Sequence, residues 1–399
     1  MKSNYRRIGD FIKLVDERND GLRITNLVGL SISKEFIPSV ANTIGTDMEN
    51  YKIIRKGQFA CSTMQVRRDK KMPVALYQNV EPAIISPAYP IFEVIDTEQL
   101  LPEYLMMWFS RKEFDREACF YAVGGVRGSL EWEDFCDMKL PIPHIDKQKE
   151  IVKEYHTIVN RINLNNRLIK KLEETAQALY KYWFVDFEFP DENGQPYKSS
   201  GGGMVESELG LEVPMGWKVK RLTDVAIIIM GQSPEGETCN KEGVGMIFYQ
   251  GRTDFGHRFP DITTYTTQPK KKALKSDILL SVRAPVGDIN IAIENCSIGR
   301  GLGALRSKHN CNSFLFYTLN KLKSEFDLSD GEGTIFGSIN KDELYNKKVF
   351  FSENTIYRFE RIVNPIDKFI KIYSFQNRKL IEIKGLLLSK LATVENPTL

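Results

Sequence analysis

The sequence predicts an α+β protein: two mixed α/β globular parts separated by two long antiparallel coiled-coil helices, an internal duplication with pseudo-twofold symmetry. Three observations carry that prediction: a heptad seam, its recurrence in the second half, and a stretch of helix breakers between the halves.

Ile151, Tyr155, Ile158, Ile162, Asn165, Ile169, Leu172, Ala176, Leu179 and Trp183 follow one another at steps that alternate between four and three. That spacing keeps one stripe of a long helix facing a partner helix. The stripe recurs 211 positions later as Ile362, Ile366, Phe369, Tyr373, Gln376, Leu380, Ile383, Leu387, Lys390 and Val394, with Lys390 the one charged interruption. Even the polar position is shared, since Asn165 and Gln376 coincide, and a buried amide fixes register at some cost in stability. A second block repeats at an offset of 209: Gly128, Ser129, Leu130, Phe135, Lys139 and Leu140 match Gly337, Ser338, Ile339, Leu344, Lys348 and Val349, so two residues are expected to be inserted ahead of the second helix. Ile8 and Asp10 match Leu222 and Asp224 at an offset of 214, which marks where each repeat begins.

The expected organisation is a globular part over 1–145, a helix over 146–184, a linker over 185–216, a second globular part over 217–353 and a second helix over 354–394. The linker holds Pro190, Gly194, Pro196 and Gly201-Gly202-Gly203; such a segment breaks helices and is expected to bury little. It is long enough to reach back along a helix, so the two helices can pair within one molecule. Antiparallel pairing keeps the globular parts from colliding. From Ile151 to Trp183 a helix measures roughly 48 Å, which corresponds to about fourteen base pairs of duplex DNA.

Within the globular parts, 277–282 and 289–293 read as strands with a turn at Pro285 and Gly287, while 101–118 and 312–326 read as helices. Hydrophobic content of 42% and charged content of 27% describe an ordinary globular composition. No apolar run suits a bilayer and the first residues lack a signal-peptide core, so a cytoplasmic, non-membrane protein is expected. Six cysteines without close Cys or His spacing are expected as free thiols, not metal ligands.

The net charge of +3 is too small to diagnose a polyanionic partner, but charge is also local. Arg67, Arg68, Lys70 and Lys71 cluster in the first globular part, and Lys270, Lys271, Lys272 and Lys275 in the second. They suit phosphate contacts that position a head on a duplex, and equally a solvated loop. Arg127 and Arg300 lie in glycine-rich stretches, Gly124 to Gly128 and Gly299 to Gly303, which suit close approach to a base edge or serve as tight turns. Arg283, in the turn between two predicted strands, completes the candidate DNA-binding set.

The pattern as a whole resembles the specificity subunit of type I restriction-modification systems. The resemblance rests on Leu140-Pro141-Ile142-Pro143 followed by Gln148 and Ile151, on NRLIKKLEETAQALYKYWF over 166–184, and on Val213-Pro214-Met215-Gly216-Trp217. Here Lys147 stands where the family has Glu, the second helix lead-in Phe350-Phe351-Ser352-Glu353-Asn354 lacks the two prolines, and the first head lacks a Pro-x-Gly-Trp lead. The resemblance implies two target-recognition domains reading a bipartite double-stranded DNA site. It implies as partners two methyltransferase (modification) subunits and, in the full complex, restriction/translocase subunits. S-adenosylmethionine, ATP and Mg are then expected on those partners, with no cofactor bound by this chain. Leu164, Leu168, Tyr182, Ile372, Leu386 and Leu388 lie off the seam and are candidates for docking the modification subunits.

The chemistry-bearing motifs agree with a non-catalytic chain. Asn364-Pro365-Ile366-Asp367 lacks the second proline and aromatic of an amino-methyltransferase motif and reads instead as a helix start, and no Gly-x4-Gly-Lys-Ser/Thr loop exists. Asp367, Glu382 and Lys384 imitate a nuclease triad, but about 22 Å of helix would separate the two carboxylates. A stand-alone coiled-coil DNA-binding or scaffolding protein is the remaining alternative.

Overall fold

The computed structural model describes residues 5–39, 45–124, 128–329 and 338–394. They form two compact units, one of residues 1–165 with 375–399 and the other of 166–374.

In the first unit, strands β1 (Tyr5–Arg7), β2 (Ile12–Val15), β3 (Gln58–Cys61), β4 (Val74–Leu76), β5 (Ile91–Val94) and β6 (Lys139–Pro141) frame the head. A four-stranded antiparallel sheet runs β2-β5-β3-β4, and β1 pairs with β6. The central strands are buried on both faces, Phe59, Cys61 and Phe92 toward one core and Ala60 and Ile91 toward a second with Ile54, Tyr77, Ala83 and Ile85. The first core is aromatic: Phe59 and Phe92 stack with centroids 4.9 Å apart, and Phe109, Phe114 and Phe135 close over them. Helix α1 (Pro102–Phe109) starts on a proline, whose missing N–H costs nothing in a first turn. The single helix expected over 101–118 is interrupted at Ser110 and Arg111, and α2 (Lys112–Tyr121) resumes after it. Ser110 Oγ donates to the Met106 carbonyl, and the Arg111 guanidinium lies 4.1 Å over the Trp108 ring.

The second unit repeats this plan. β7 (Met204–Glu206) pairs with β8 (Glu212–Pro214), and β9 (Lys218–Arg221) pairs with a strand at Lys348–Phe351, the counterpart of β1 with β6. Strands β10 (Ala226–Met230), β11 (Lys272–Ala273), β12 (Ile278–Ser281), β13 (Ile289–Ile291), β14 (Cys296–Ile298) and β15 (Leu302–Ser307) follow, and the main sheet runs β10-β15-β12-β13. This is the order of the first head, strand for strand. Single hydrogen bonds repeat as well. Ile8 N donates to Met138 O as Leu222 N donates to Lys347 O, and Leu130 N donates to Thr63 O as Ile339 N donates to Val282 O.

Two long helices complete the units: α3 (Ile145–Phe184) before the second head and, after α4 (Asn312–Ser329), α5 (Glu353–Lys390). Both unit boundaries fall inside these helices. In the first unit Ile151 shares a core with Leu388 and Leu391, while Asn165 hydrogen-bonds Gln376 and Asn377, so α3 and α5 run antiparallel there. In the second unit Trp183 and Ala176 share a core with Ile356, Phe359 and Val363, again antiparallel. Ile151, Asn165, Ile169, Ala176 and Trp183 are buried, and Ile158, Ile162, Leu172 and Leu179 half-buried.

On α5 the expected stripe is displaced by one residue. Ile362, Phe369 and Ile383 are 48%, 52% and 49% exposed, whereas Val363, Ile370, Asn377, Leu388 and Leu391 are buried; Gln376, Leu380 and Leu387 are half-buried beside them. The repeat offset at the helices is therefore 212, pairing Ile151 with Val363, Ile158 with Ile370 and Asn165 with Asn377. Three residues, not two, are inserted between strand and second helix. The physical reason for the slip is that α5 is apolar on two adjacent stripes, and runs such as Leu386-Leu387-Leu388 satisfy either register. Leu388, expected to face a partner, thus belongs to the seam. Pro365 lies inside α5, so 364–367 is not a helix start.

The linker also differs from expectation. It holds no helix, but Phe187, Phe189 and Val213 are buried in the second unit's core, with Phe189 stacked on Tyr197 at 4.7 Å. It remains with the second head. Because α5 begins where α3 ends in the second unit, no reach back along a helix is required.

Candidate DNA interface

In the first head the basic cluster lies in the β3–β4 connection. Buried Val66 anchors a short helical turn, Val66–Asp69, flanked by the left-handed residues Gln65 and Lys70. Arg67 is brought against the glycine stretch: its backbone N donates to Gly128 O at 3.5 Å and its Nη1 to Gly124 O at 3.3 Å. Gly128 has φ +36° and a Cβ there would lie 2.6 Å from Arg67 Cβ, so the side chain and the loop are fitted to each other. Arg68 is spent on Asp69, at 2.6 and 3.0 Å, and holds that carboxyl below its usual range. Lys70 and Lys71 are exposed. Arg127 lies outside the described residues, as does Gly337 of the matching block.

In the second head three of the candidate segments meet at one end of the central strands. Arg283, exposed, occupies the β12–β13 connection, which corresponds in the repeat to the connection that carries Arg67. Val282 N donates to Gly301 O at 3.0 Å, which places Arg283 beside the glycine turn bearing Arg300. β11 runs antiparallel to β14 with Lys272 opposite Ser297, and Ile298 N donates to Lys271 O, so Lys270 and Lys271 extend toward Arg300. Lys270, Lys271, Lys272 and Arg300 are all exposed. The glycines here serve close packing. A Cβ at Gly299 would meet Gln250 O at 2.7 Å, one at Gly301 the same atom at 3.0 Å, and one at Gly231 would meet Gly299 O at 2.1 Å. The Lys270 cluster precedes β12, whereas the Arg67 cluster follows β3, so the two clusters are not repeat equivalents.

Several residues at these sites carry no motif. Met64, Phe120, Tyr121 and Val123 are exposed apolar side chains around the Arg67 loop. In the second unit a polar cleft of about 360 Å³ is lined by Glu173, Arg252, His257, Arg258, Asp288 and Lys323, among others. Arg258 is 3% exposed, ion-paired to Glu173 and Asp367, hydrogen-bonded to Tyr317 and 4.2 Å over the Phe316 ring. Burial disfavours its charge, yet Asp367 and Tyr317 outweigh burial and raise its pKa. Its only local sequence mark is an arginine between aromatics, Phe255-Gly256-His257-Arg258-Phe259.

Among the described residues no group of His, Cys, Asp and Glu side chains could hold a metal ion, and no helix is long and apolar enough to cross a membrane. All six cysteines are free; burial pushes the Cys296 and Cys311 thiols up to about 12. Asp367 and Glu382 sit on one continuous helix, with Asp367 engaged by Arg258. Of the docking candidates, Leu164, Leu168, Tyr182, Ile372 and Leu386 are exposed.

The family model described as type I restriction modification DNA specificity domain matches residues 69–174 and again 214–384. The chain is 34% identical over 250 residues to the putative type I restriction enzyme MjaX specificity subunit of Methanocaldococcus jannaschii, covering 62% of this chain and 56% of that protein. It is 23% identical to the type I restriction enzyme HindI specificity subunit of Haemophilus influenzae, over 97% of this chain and 98% of that one. The crystal structure of a type I restriction-modification system S subunit from M. genitalium superposes with a TM-score of 0.64 at 15% identity, covering 99% and 98% of the two chains, a likeness of fold. With the matched domain present twice and each copy built on the same sheet and helix, the chain belongs to the family of type I restriction-modification DNA specificity subunits.

Proposed function

We propose that this chain is the sequence-reading subunit of a type I restriction-modification complex, with each head reading one part of a bipartite double-stranded DNA target. The observation that carries the reading is the repetition itself: one sheet order, one strand-to-helix joint and one arginine-bearing connection occur twice. Arg67, Lys70 and Lys71 in one head, and Lys270, Lys271, Lys272, Arg283 and Arg300 in the other, supply phosphate contacts and base-edge donors. The chain catalyses nothing. Adenine methylation, with S-adenosylmethionine, falls to two modification subunits, and ATP-driven, Mg-dependent cleavage to restriction subunits. The exposed apolar residues Leu164, Leu168, Tyr182, Ile372 and Leu386 support docking of the modification subunits on the helices.

A base-resolution map of adenine methylation, in cells expressing a modification subunit with and without the chain, tests the reading. A split motif with a fixed unread spacer, methylated only when the chain is present, is expected. Failure of the two proteins to associate would favour a stand-alone DNA-binding protein instead. Charge substitutions Leu168→Glu and Leu386→Glu should abolish assembly. Removing one turn from both helices, about 5.4 Å, should shorten the spacer by one or two base pairs.

A further inference from the structure

Among the described residues, the first head presents an apolar tip that stands exposed. At the end of α2, Phe114, Ala118 and Ala122 face the core, whereas Phe120 is 82%, Tyr121 42% and Val123 59% exposed. The Phe120 and Tyr121 rings meet edge to face at 5.4 Å, which holds one ring against the other and out from the helix end. Gly124, four residues beyond Phe120 and past the helix end, accepts the Arg67 guanidinium hydrogen bond, and Val123 exchanges two backbone hydrogen bonds with Ser129, both at 2.9 Å. Met64, 48% exposed, adjoins Thr63, whose carbonyl accepts from Leu130 on the far side of the same loop. An exposed phenylalanine therefore sits on a braced platform rather than on a loose end.

The surroundings select the occupant. Residues 64–71 contribute Arg67, Arg68, Lys70 and Lys71 against the single carboxylate Asp69. A cation-rimmed apolar tip matches a polyanion with a stack of flat apolar faces at its centre, where an inserted side chain unstacks a step and the flanking cations hold the phosphates.

We propose that Phe120 is a specificity-determining wedge of the first head, inserted between two bases of the half-site while Arg67 holds the adjoining backbone. The inference rests on the DNA-reading function proposed above. A wedge discriminates without hydrogen bonds, because flexible pyrimidine–purine steps open more readily than others. The first half-site is then expected to contain such a step at a fixed position.

The test uses the full-length chain and duplexes selected by it from a random pool, with 2-aminopurine or pyrrolocytosine replacing each base of the recovered motif in turn. Fluorescence is expected to rise on binding at one step, to stay flat in Phe120→Ala and to recover in Phe120→Leu. Affinity of Phe120→Ala should fall on the order of tenfold with its salt slope unchanged, whereas Arg67→Ala should reduce the slope by about one. Enrichment of a motif with no fluorescence rise at any position, or with Phe120→Ala indistinguishable from the unsubstituted chain, overturns the wedge and leaves the reading function intact. Loss of modification-subunit assembly by Phe120→Ala at unchanged DNA affinity also overturns it, by assigning the tip to a protein partner. If the pool yields no motif at all, the reading function fails and the wedge with it.

Discussion

The two units join a head to a long helix at equivalent places but with different chemistry. In the first, Gln148 Oε1 accepts from Leu101 N at 2.9 Å, and its Nε2 donates to Gln99 O and Pro143 O. In the second, the residue 212 positions on is Glu360, whose two oxygens accept from Ser313 N and Phe314 N at 3.3 and 3.1 Å. Each side chain caps the first turn of the head's helix, α1 or α4, with groups that a helix start leaves unpaired. The amide serves two carbonyls as well as one N–H; the carboxylate serves N–H groups and adds a charge where the helix dipole favours one. The second unit adds the buried Arg258 with Glu173 and Asp367, while the first relies at this joint on Ile151, Tyr155, Leu388 and Leu391. One backbone plan thus tolerates a neutral and a charged solution.

Arg258→Ala should produce the largest difference between units. It leaves two carboxylates and a tyrosine without their cation, a loss of about 3–5 kcal/mol, and native-state hydrogen exchange should show protection falling in 166–374 and little change in the first unit. Equal loss in both would end the contrast. The polar step in the seam comes next. Asn165 Nδ2 donates to Gln376 Oε1 at 3.0 Å and Asn377 Oδ1 at 2.8 Å. Asn165→Leu alone should cost about 1–3 kcal/mol by removing the donor that Gln376 Oε1 and Asn377 Oδ1 share, while Asn165→Leu with Asn377→Leu should cost less; urea midpoints distinguish the two.

The caps allow a sharper exchange. Gln148→Glu turns an acceptor oxygen on the carbonyls of Gln99 and Pro143, and Glu360→Gln removes an acceptor from the α4 start. Each should cost about 1–2 kcal/mol, with the effect confined to its own unit. Acid should produce the smallest effect. Burial pushes the Asp288 pKa up, but Lys323 and Arg252 outweigh it and hold the carboxyl below its usual range. That stability is complete above the ordinary carboxylate pKa, near 4, and lost as pH falls through the depressed value. Between pH 5 and pH 2 the urea midpoint of Asp288→Asn should fall less steeply than that of the unsubstituted chain.

What the sequence disclosed depended on how far each signal stood from its neighbours. The seam of α3 was legible because charged residues flank its apolar stripe, and the strands at 278–281 and 289–291 because turn residues bound them. On α5, Ile362 and Phe369 border the buried seam residues Val363 and Ile370, and Leu387 borders Leu388, so periodicity alone admits two registers. The linker misled through its glycines and prolines, which concealed Phe187 and Phe189. At the interface, the meeting of Arg283 with Arg300 depends on pairing across strands, and Arg258 on three elements folding together; neither has a local pattern.

The packing of Gly231, Gly299 and Gly301 against backbone atoms has a consequence for how such a protein changes over time. No side chain fits at Gly231 or Gly299 and one at Gly301 would crowd Gln250 O, so the turn's course is constrained, whereas Arg300 between Gly299 and Gly301 is exposed. Drift toward a new target can exchange the tool at position 300 while the mount beneath it stays fixed. Novelty and conservation are expected to alternate there residue by residue.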